Sequence, residues 1–219
     1  PLVAAEPGQF VVLRLRPNPD LPPMLRSYSL SDAPSANHYR VSIKQEINGV
    51  ASTYVHKYLR VGDVLDVSAP RGSFTLQSGD RPIVLLSAGV GATPVLSMLH
   101  ALAAEKSTRQ VWWLHGARNR SDHPFAQESH DLVQLLPHSR SRILYSRPGP
   151  DDRLDLEFNA TGRLGIPVLD ELGVPRDADF YLCGPSAFLH DLSAGLAAWG
   201  VAGERVHMEI FGPGESMTP

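Results

Sequence analysis

Ile83-Val84-Leu85-Leu86-Ser87-Ala88-Gly89-Val90-Gly91-Ala92-Thr93-Pro94 places an apolar run, a glycine turn and a proline-led helix start in direct succession. From Ile83 to Ala104 there is no Asp, Glu, Lys or Arg, and that length would suit a bilayer. Gly89, Gly91 and Pro94 at its centre argue against a lipid-exposed helix, which would have to absorb all three. A strand buried on both faces, a tight turn and a helix fit better. Thr93 is the expected N-cap of that helix, with Val95, Met98, Leu99 and Leu102 on one face.

Downstream the alternation continues. Val111-Trp112-Trp113-Leu114, Arg142-Ile143-Leu144-Tyr145, Asp179-Phe180-Tyr181-Leu182-Cys183 and Arg205 to Ile210 read as strands. Phe125 to Leu136 reads as a helix. Ser186 is the expected cap of another, whose Phe188, Leu192, Leu196 and Trp199 share a face and which Gly200 ends. Strands alternating with helices imply a parallel sheet with right-handed crossovers and a site at the strands' carboxyl ends.

Upstream the pattern is β. Gln9 to Arg16, Arg26 to Leu30, Tyr39 to Gln45 and Val64 to Ala69 read as short strands. Asn48-Gly49 is a turn signal, and Ala51 to Leu59 reads as a short helix capped by Ser52. Such spacing suggests a small antiparallel barrel. The seam falls at Gln77-Ser78-Gly79-Asp80, so residues 1–80 and 81–212 are expected to be separate domains.

Composition sets the bounds. The 219 residues are 42% hydrophobic and 20% charged, enough to bury a core; at roughly 100–200 residues per domain they suit one large or two small units. Lys plus Arg number 20 and Asp plus Glu 23, for a net charge of −3, which disfavours nucleic acid as a partner. A single cysteine, Cys183, excludes an internal disulfide, a thiolate zinc site or a four-cysteine iron–sulfur cluster within the chain. It also points to a reducing, cytoplasmic compartment. No G-x-S-x-G turn supports a hydrolase. The nine histidines are scattered without an H-E-x-x-H, so no metal site is expected. Pro1 and the run from Gly212 to Pro219 give the chain the look of a piece cut from a longer polypeptide, with 213–219 as a linker.

Several short motifs carry chemistry. Glycines after a buried strand let backbone approach a phosphate, and the helix start supplies N–H groups and partial positive charge. The same turn can equally be a tight connection that binds nothing. Cys183-Gly184-Pro185 ends another strand, which places a thiol at the sheet's carboxyl edge; a buried structural thiol is the alternative. On a strand, Arg26 and Tyr28 point to one face. There the guanidinium can hold a phosphate and the phenol can stack on a flat heterocycle.

Taken in order, Arg26-Ser27-Tyr28-Ser29, Gly49-Val50-Ala51-Ser52, Ala69-Pro70-Arg71-Gly72-Ser73-Phe74, the glycine turn, Cys183-Gly184-Pro185 and Glu209-Ile210-Phe211-Gly212-Pro213 resemble the ferredoxin–NADP reductase superfamily. The resemblance covers nearly the whole chain and is nearest to the reductase modules of flavohaemoglobins and of oxygenase-serving iron–sulfur flavoproteins. It implies a six-stranded antiparallel flavin-binding barrel followed by a parallel-sheet NAD(P)-binding α/β domain.

It further implies that Arg26 neutralises the flavin pyrophosphate, Tyr28 stacks on the isoalloxazine and Ser29 bonds near N5. Val41, Ser42, Ile43 and Lys44 would lie along the flavin, and Gly49, Val50, Ala51 and Ser52, with Thr53 as a less secure addition, would meet its pyrophosphate. Gly89, Gly91 and Thr93 would hold the nicotinamide dinucleotide. Cys183, Gly184 and Pro185 would flank the nicotinamide, and Glu209 and Phe211 would close over the flavin. Ser29, Cys183 and Glu209 are the implied catalytic set. The implied cofactors are FAD, with FMN as alternative, and NADH or NADPH. Arg118, Ser146 and Arg147 stand where superfamily members read the NADPH 2′-phosphate. Electrons would pass singly to a ferredoxin-type, haem or oxygenase partner, with any 2Fe–2S cluster outside this chain. A regulatory module that binds flavin or nucleotide without catalysis is the competing reading.

Overall fold

The computed structural model describes residues 2–18 and 20–211; the expected linker at 213–219 lies outside them. In Phe10–Leu15 (β1) strict alternation buries Val11, Leu13 and Leu15. On one side β1 pairs antiparallel with Met24–Ser29 (β2), on the other with Asp66–Val67 (β3). The resulting sheet has three strands, in the order β2-β1-β3, where six were expected. Side chains interrupt the ladder. Past β3 the Ser68 N–H still donates to Val12 O at 3.0 Å, but the Val12 N–H goes to the Ser68 hydroxyl at 2.9 Å, and the next pairing is a Phe10–Arg71 bridge. The expected strand at 39–45 contributes only the Leu30–Val41 bridge, and its Ile43 carbonyl accepts from the His56 ring at 2.8 Å.

Val50–Tyr58 (α1) starts after Gly49, with no side-chain cap. Ser52 lies inside its first turn, not at the cap. Its hydroxyl accepts from Glu46 N at 3.1 Å and donates to Gly49 O at 3.2 Å, locking the Asn48-Gly49 turn. A Cβ on Gly49 would sit 2.5 Å from that hydroxyl, so glycine is needed there for space.

The second sheet is parallel throughout. Its strands are Ile83–Ala88 (β4), Val111–Ala117 (β5), Ser139–Tyr145 (β6), Ala160–Thr161 (β7), Asp179–Gly184 (β8) and Val206–Ile210 (β9). Their order is β7-β6-β5-β4-β8-β9. The unbroken apolar run in β4 has a simple cause: alternate residues feed two cores. Ile83, Leu85, Trp113 and Tyr181 pack with Ala92–Ala104 (α2) and Ala126–Gln134 (α3). Val84, Leu86, Trp112 and Phe180 pack with Ile166–Glu171 (α4) and Ser186–Trp199 (α5).

Helix starts differ from expectation by a residue or two. The turn Gly89–Gly91 winds as one 3₁₀ turn, so α2 begins at Ala92 with Gly91 as cap. Thr93 is then inside the helix, and its hydroxyl donates to Val90 O at 3.1 Å. Pro185, not Ser186, caps α5; Gly200 ends that helix with φ 93°, as expected.

The two halves share a core. Phe74 and Leu76, from the first, pack into the α2–α3 side of the parallel sheet. The connecting segment is pinned as well: Gln77 N donates to Tyr181 Oη at 2.8 Å, and Arg109 donates to the Gln77 carbonyl at 2.9 Å.

Candidate functional site

The sheet order reverses at β4, with β5 on one side and β8 on the other. Ligands of open parallel sheets bind in the crevice at such a switch point, beyond the strands' carboxyl ends. Gly89–Gly91 follows β4 there, and Cys183-Gly184-Pro185 follows from β8. The two segments touch: a Cβ on Gly91 would fall 2.6 Å from the Cys183 carbonyl carbon and 2.8 Å from Gly184 Cα. Gly89, at φ 55°, has nothing within 4 Å of where its Cβ would be. One glycine is therefore required by packing, while the other faces open space.

Cys183 is wholly buried. Burial pushes its thiol up, and the Glu209 charge pushes it further. Glu209 is its register partner on β9, and burial raises that carboxyl also. Phe211 follows, with its N–H on Gly184 O at 3.1 Å and its ring against the core that holds Cys183. Cys183, Gly184, Glu209 and Phe211 are thus brought together. Ser29 is buried on β2 of the other sheet, and no hydrogen bond joins it to this group among the described residues.

On the first half, Tyr28 is half-buried against the core cluster of the antiparallel sheet, and Arg26 shares its sheet face. Burial raises the Tyr28 phenol, opposed by the Arg26 charge. The Arg26 guanidinium is exposed and donates to its neighbour's carbonyl, Leu25 O, at 2.7 Å. Among the described residues no carboxylate pairs with it. Ser42 bonds Ser31 through their hydroxyls at 2.8 Å, and Lys44 pairs with Glu46 at 3.3 Å on the surface.

The first turn of α1 carries no acidic residue. The first intrahelical bond runs from Thr53 N to Gly49 O, so the N–H groups of Val50, Ala51 and Ser52 have no partner within the helix. Val50 borders a groove of about 290 Å³ lined also by Pro17, Asn48, Gly49, Thr53 and the stacked Tyr54 and Tyr58 rings. A helix start with free backbone donors beside two aromatic rings suits a dinucleotide with a pyrophosphate. The Ser52 and Thr93 hydroxyls are spent on backbone carbonyls, so these positions can offer backbone groups to a phosphate more readily than hydroxyls.

At the carboxyl ends of β5 and β6, Arg147 N donates to Arg118 O at 2.8 Å. The two exposed arginines are thereby neighbours, with Ser146 beside them. Arg118 pairs with Asp122 at 2.9 Å; Arg147 has no carboxylate partner among the described residues.

Sequence reasoning missed a polar column beside the switch point. Ser87 Oγ lies 2.8 Å from His115 Nδ1, His115 stacks on His123 at 4.9 Å, and His123 Nδ1 lies 3.0 Å from Tyr145 Oη. Burial lowers His115 to about 3, with the His123 charge adding, and burial lowers His123 to about 4. Both Nε2 atoms are buried without a partner among the described residues. The available signal was a serine and a histidine in register at the ends of two otherwise apolar strands. No group of three or more metal-ligating side chains occurs among the described residues.

Residues 3–76 match the family model of the oxidoreductase FAD-binding domain, and residues 85–194 that of the oxidoreductase NAD-binding domain. The FAD/NAD-binding domain of a nitric oxide dioxygenase from Vibrio cholerae is 35% identical, with a TM-score of 0.86 over 97% of this chain and 87% of that one. The chain belongs to the FAD- and NAD-binding oxidoreductases of the flavohaemoprotein type. The flavohemoprotein of Deinococcus radiodurans is 41% identical over 218 residues, which are 100% of this chain and 54% of that protein. A flavohemoglobin from Malassezia yamatoensis, solved with bound FAD and heme, is 29% identical with a TM-score of 0.80, over 97% of this chain and 53% of that one. The reductase thus spans about half the length of the flavohaemoproteins it matches.

FAD and NAD(P)H are accordingly its redox pair, and it is an FAD-dependent NAD(P)H oxidoreductase. No helix among the described residues is long and apolar enough to cross a membrane; the uncharged stretch 83–104 divides into β4, the glycine turn and α2.

Proposed function

We propose that the chain divides near residue 80 into a flavin half and a nicotinamide half, and that it delivers electrons singly to a haem acceptor. The acceptor reading rests on the relatives, which are named flavohemoproteins. A separate iron–sulfur partner is the second reading, supported by the 25% identical phthalate dioxygenase reductase, whose structure describes electron transfer from pyridine nucleotides to [2Fe-2S]. With one cysteine, this chain cannot supply such a cluster itself. A cytoplasmic location fits the free thiol. No observation favours a non-catalytic binding module.

When bound, FAD takes two electrons as hydride from a nicotinamide, which is oxidised, and releases them one at a time. This chain's residues bind and orient. Arg26 and the N–H groups of Val50, Ala51 and Ser52 neutralise the flavin pyrophosphate. Gly49 keeps the turn that presents them, and Thr53 with the two tyrosines lines the adjoining groove. Tyr28 supplies a stacking face, Ser29 a hydroxyl, and Val41, Ser42, Ile43 and Lys44 a backbone edge. Gly89, Gly91 and Thr93, in the first turn of α2, admit the second dinucleotide's phosphates. Cys183, Gly184 and Pro185 form the wall of the nicotinamide pocket. The raised carboxyl of Glu209 can hold a proton beside that wall, and Phe211 would cover the flavin ring until nicotinamide displaces it. Arg118, Ser146 and Arg147 bear on the 2′-position. Arg147, without a carboxylate partner among the described residues, favours tolerance of NADPH, although we take NADH as the preferred donor by analogy with the nearest families.

The observation that carries this reading is the close contact of the glycine turn with Cys183-Gly184 at the switch point. Removing the cation should separate the two cofactor sites. In Arg26→Ala, FAD affinity is expected to fall at least tenfold, in line with the roughly 1.5–3 kcal/mol of a charge-assisted hydrogen bond. Cys183→Ala should retain flavin within about twofold. Equal retention, measured by quenching of flavin fluorescence, would contradict the role given to Arg26.

A further inference from the structure

Between the two halves lies a polar cluster that neither cofactor site uses. Arg40 immediately precedes the Val41–Lys44 segment, and Ser31 and Asp32 follow Leu30, just past the end of β2. Facing them are Ser97 and His100 on α2, the helix that begins at the glycine turn, and Glu128 on α3. One carboxylate oxygen, Glu128 Oε1, lies 2.6 Å from Arg40 Nη2 and 2.6 Å from His100 Nε2. The Arg40 fork also donates to the Ser31 carbonyl. His100 Nε2 lies 3.7 Å from Asp32, Arg40 Nε lies 3.9 Å from Asp32, and the Ser97 hydroxyl donates to Asp32 O at 2.7 Å.

These contacts join two segments assigned to flavin, the stretch after β2 and the one before Val41, with the helix assigned to the dinucleotide phosphates. The Arg40 and Glu128 side chains keep 34% and 30% of their surface, so solvent screens the pair and its contribution to overall stability is small. Its geometry is nonetheless demanding, because a planar fork and an imidazole converge on one oxygen. The fold itself does not depend on it: the halves are also held by Phe74 and Leu76 and by the pinned Gln77.

We propose that Arg40, His100 and Glu128 form an interdomain latch and are positioning residues for hydride transfer. The proposal rests on the flavin and nicotinamide sites assigned above. Transfer is steeply sensitive to ring placement, and a misplacement of about 1 Å can cost roughly 10²-fold.

Two readouts test it. In anaerobic stopped-flow bleaching of the FAD-loaded protein by NADH, Glu128→Ala should lower the limiting rate about 10- to 100-fold. Flavin content and the NADH concentration at half-saturation should stay within about threefold. Arg40→Ala and the double variant should lose no more than Glu128→Ala alone, while Arg40→Lys should recover part of the rate. Independently of activity, spin labels at Arg14→Cys on β1 and His190→Cys on α5 report the spacing of the halves, since the one native thiol is buried. The flavin-free protein should give a narrow distance distribution that broadens in Glu128→Ala. A limiting rate within twofold of the parent together with an unchanged distribution would overturn the latch. So would a loss confined to half-saturation. Failure of the parent protein itself to bleach would instead overturn the functional reading on which the latch rests.

Discussion

Gly91→Ala is expected to cost about 3 kcal/mol of stability and at least tenfold in nicotinamide-nucleotide affinity. Gly91 has an ordinary helical φ of −59°, so backbone strain plays no part. The cost is steric, because the added methyl would meet the Cys183 carbonyl carbon at 2.6 Å and Gly184 Cα at 2.8 Å. Both are backbone atoms of β8, a central strand that cannot move aside without breaking its ladder to β4. Overpacking of this kind costs roughly 1–3 kcal/mol, occasionally more. Gly89→Ala provides the contrast. Its methyl would enter open space, and the penalty is the roughly 1–2 kcal/mol of a left-handed residue. Urea midpoints and NADH half-saturation, measured for both variants, check the ranking. Equal losses in the two would show that the turn is not pressed on β8.

The reductase should also be acid-labile well above the range in which its carboxylates titrate. His115 and His123 hold their neutral forms down to about 3 and about 4 in the folded protein, whereas an unfolded histidine titrates near 6.5. Below that value the unfolded chain binds protons that the folded chain refuses, so stability falls as pH falls. The loss begins near pH 6.5 and grows until the folded imidazoles themselves protonate, near pH 4 and pH 3. Between pH 7.5 and 5.5 the pair should account for about 2–3 kcal/mol, from 1.36 kcal/mol per unit of displaced pKa. Thermal midpoints across this window would show the slope. His123→Phe should remove about half of it, and an unchanged slope would assign the acid sensitivity elsewhere.

Much of this was readable from residue order. The glycine turn, Cys183-Gly184-Pro185 and the apolar run of β4 gave the parallel sheet and its switch point, because buried parallel strands and their turns have strong local signatures. The antiparallel sheet was less legible. Its strands are short, and their ends depend on side-chain hydroxyls such as Ser68 that replace backbone partners, which no local pattern reveals. Cap residues failed for a related reason: Ser52 and Thr93 have the right chemistry for caps, but glycines ahead of them start the helices earlier. The two-residue β7 and the short α4 left too little periodicity to detect. The imidazole column and the latch were invisible because Arg40, His100 and Glu128, like Ser87 and His123, become neighbours only through strand order and helix packing.

The most direct measurement is an anaerobic titration of the FAD-loaded protein with NADH, and in parallel with NADPH, followed by flavin absorbance. One nicotinamide nucleotide per flavin should bleach the yellow colour completely, with NADH at least as effective as NADPH. A protein that retains FAD yet stays fully oxidised in excess of both nucleotides, or one that retains no FAD, would contradict the account.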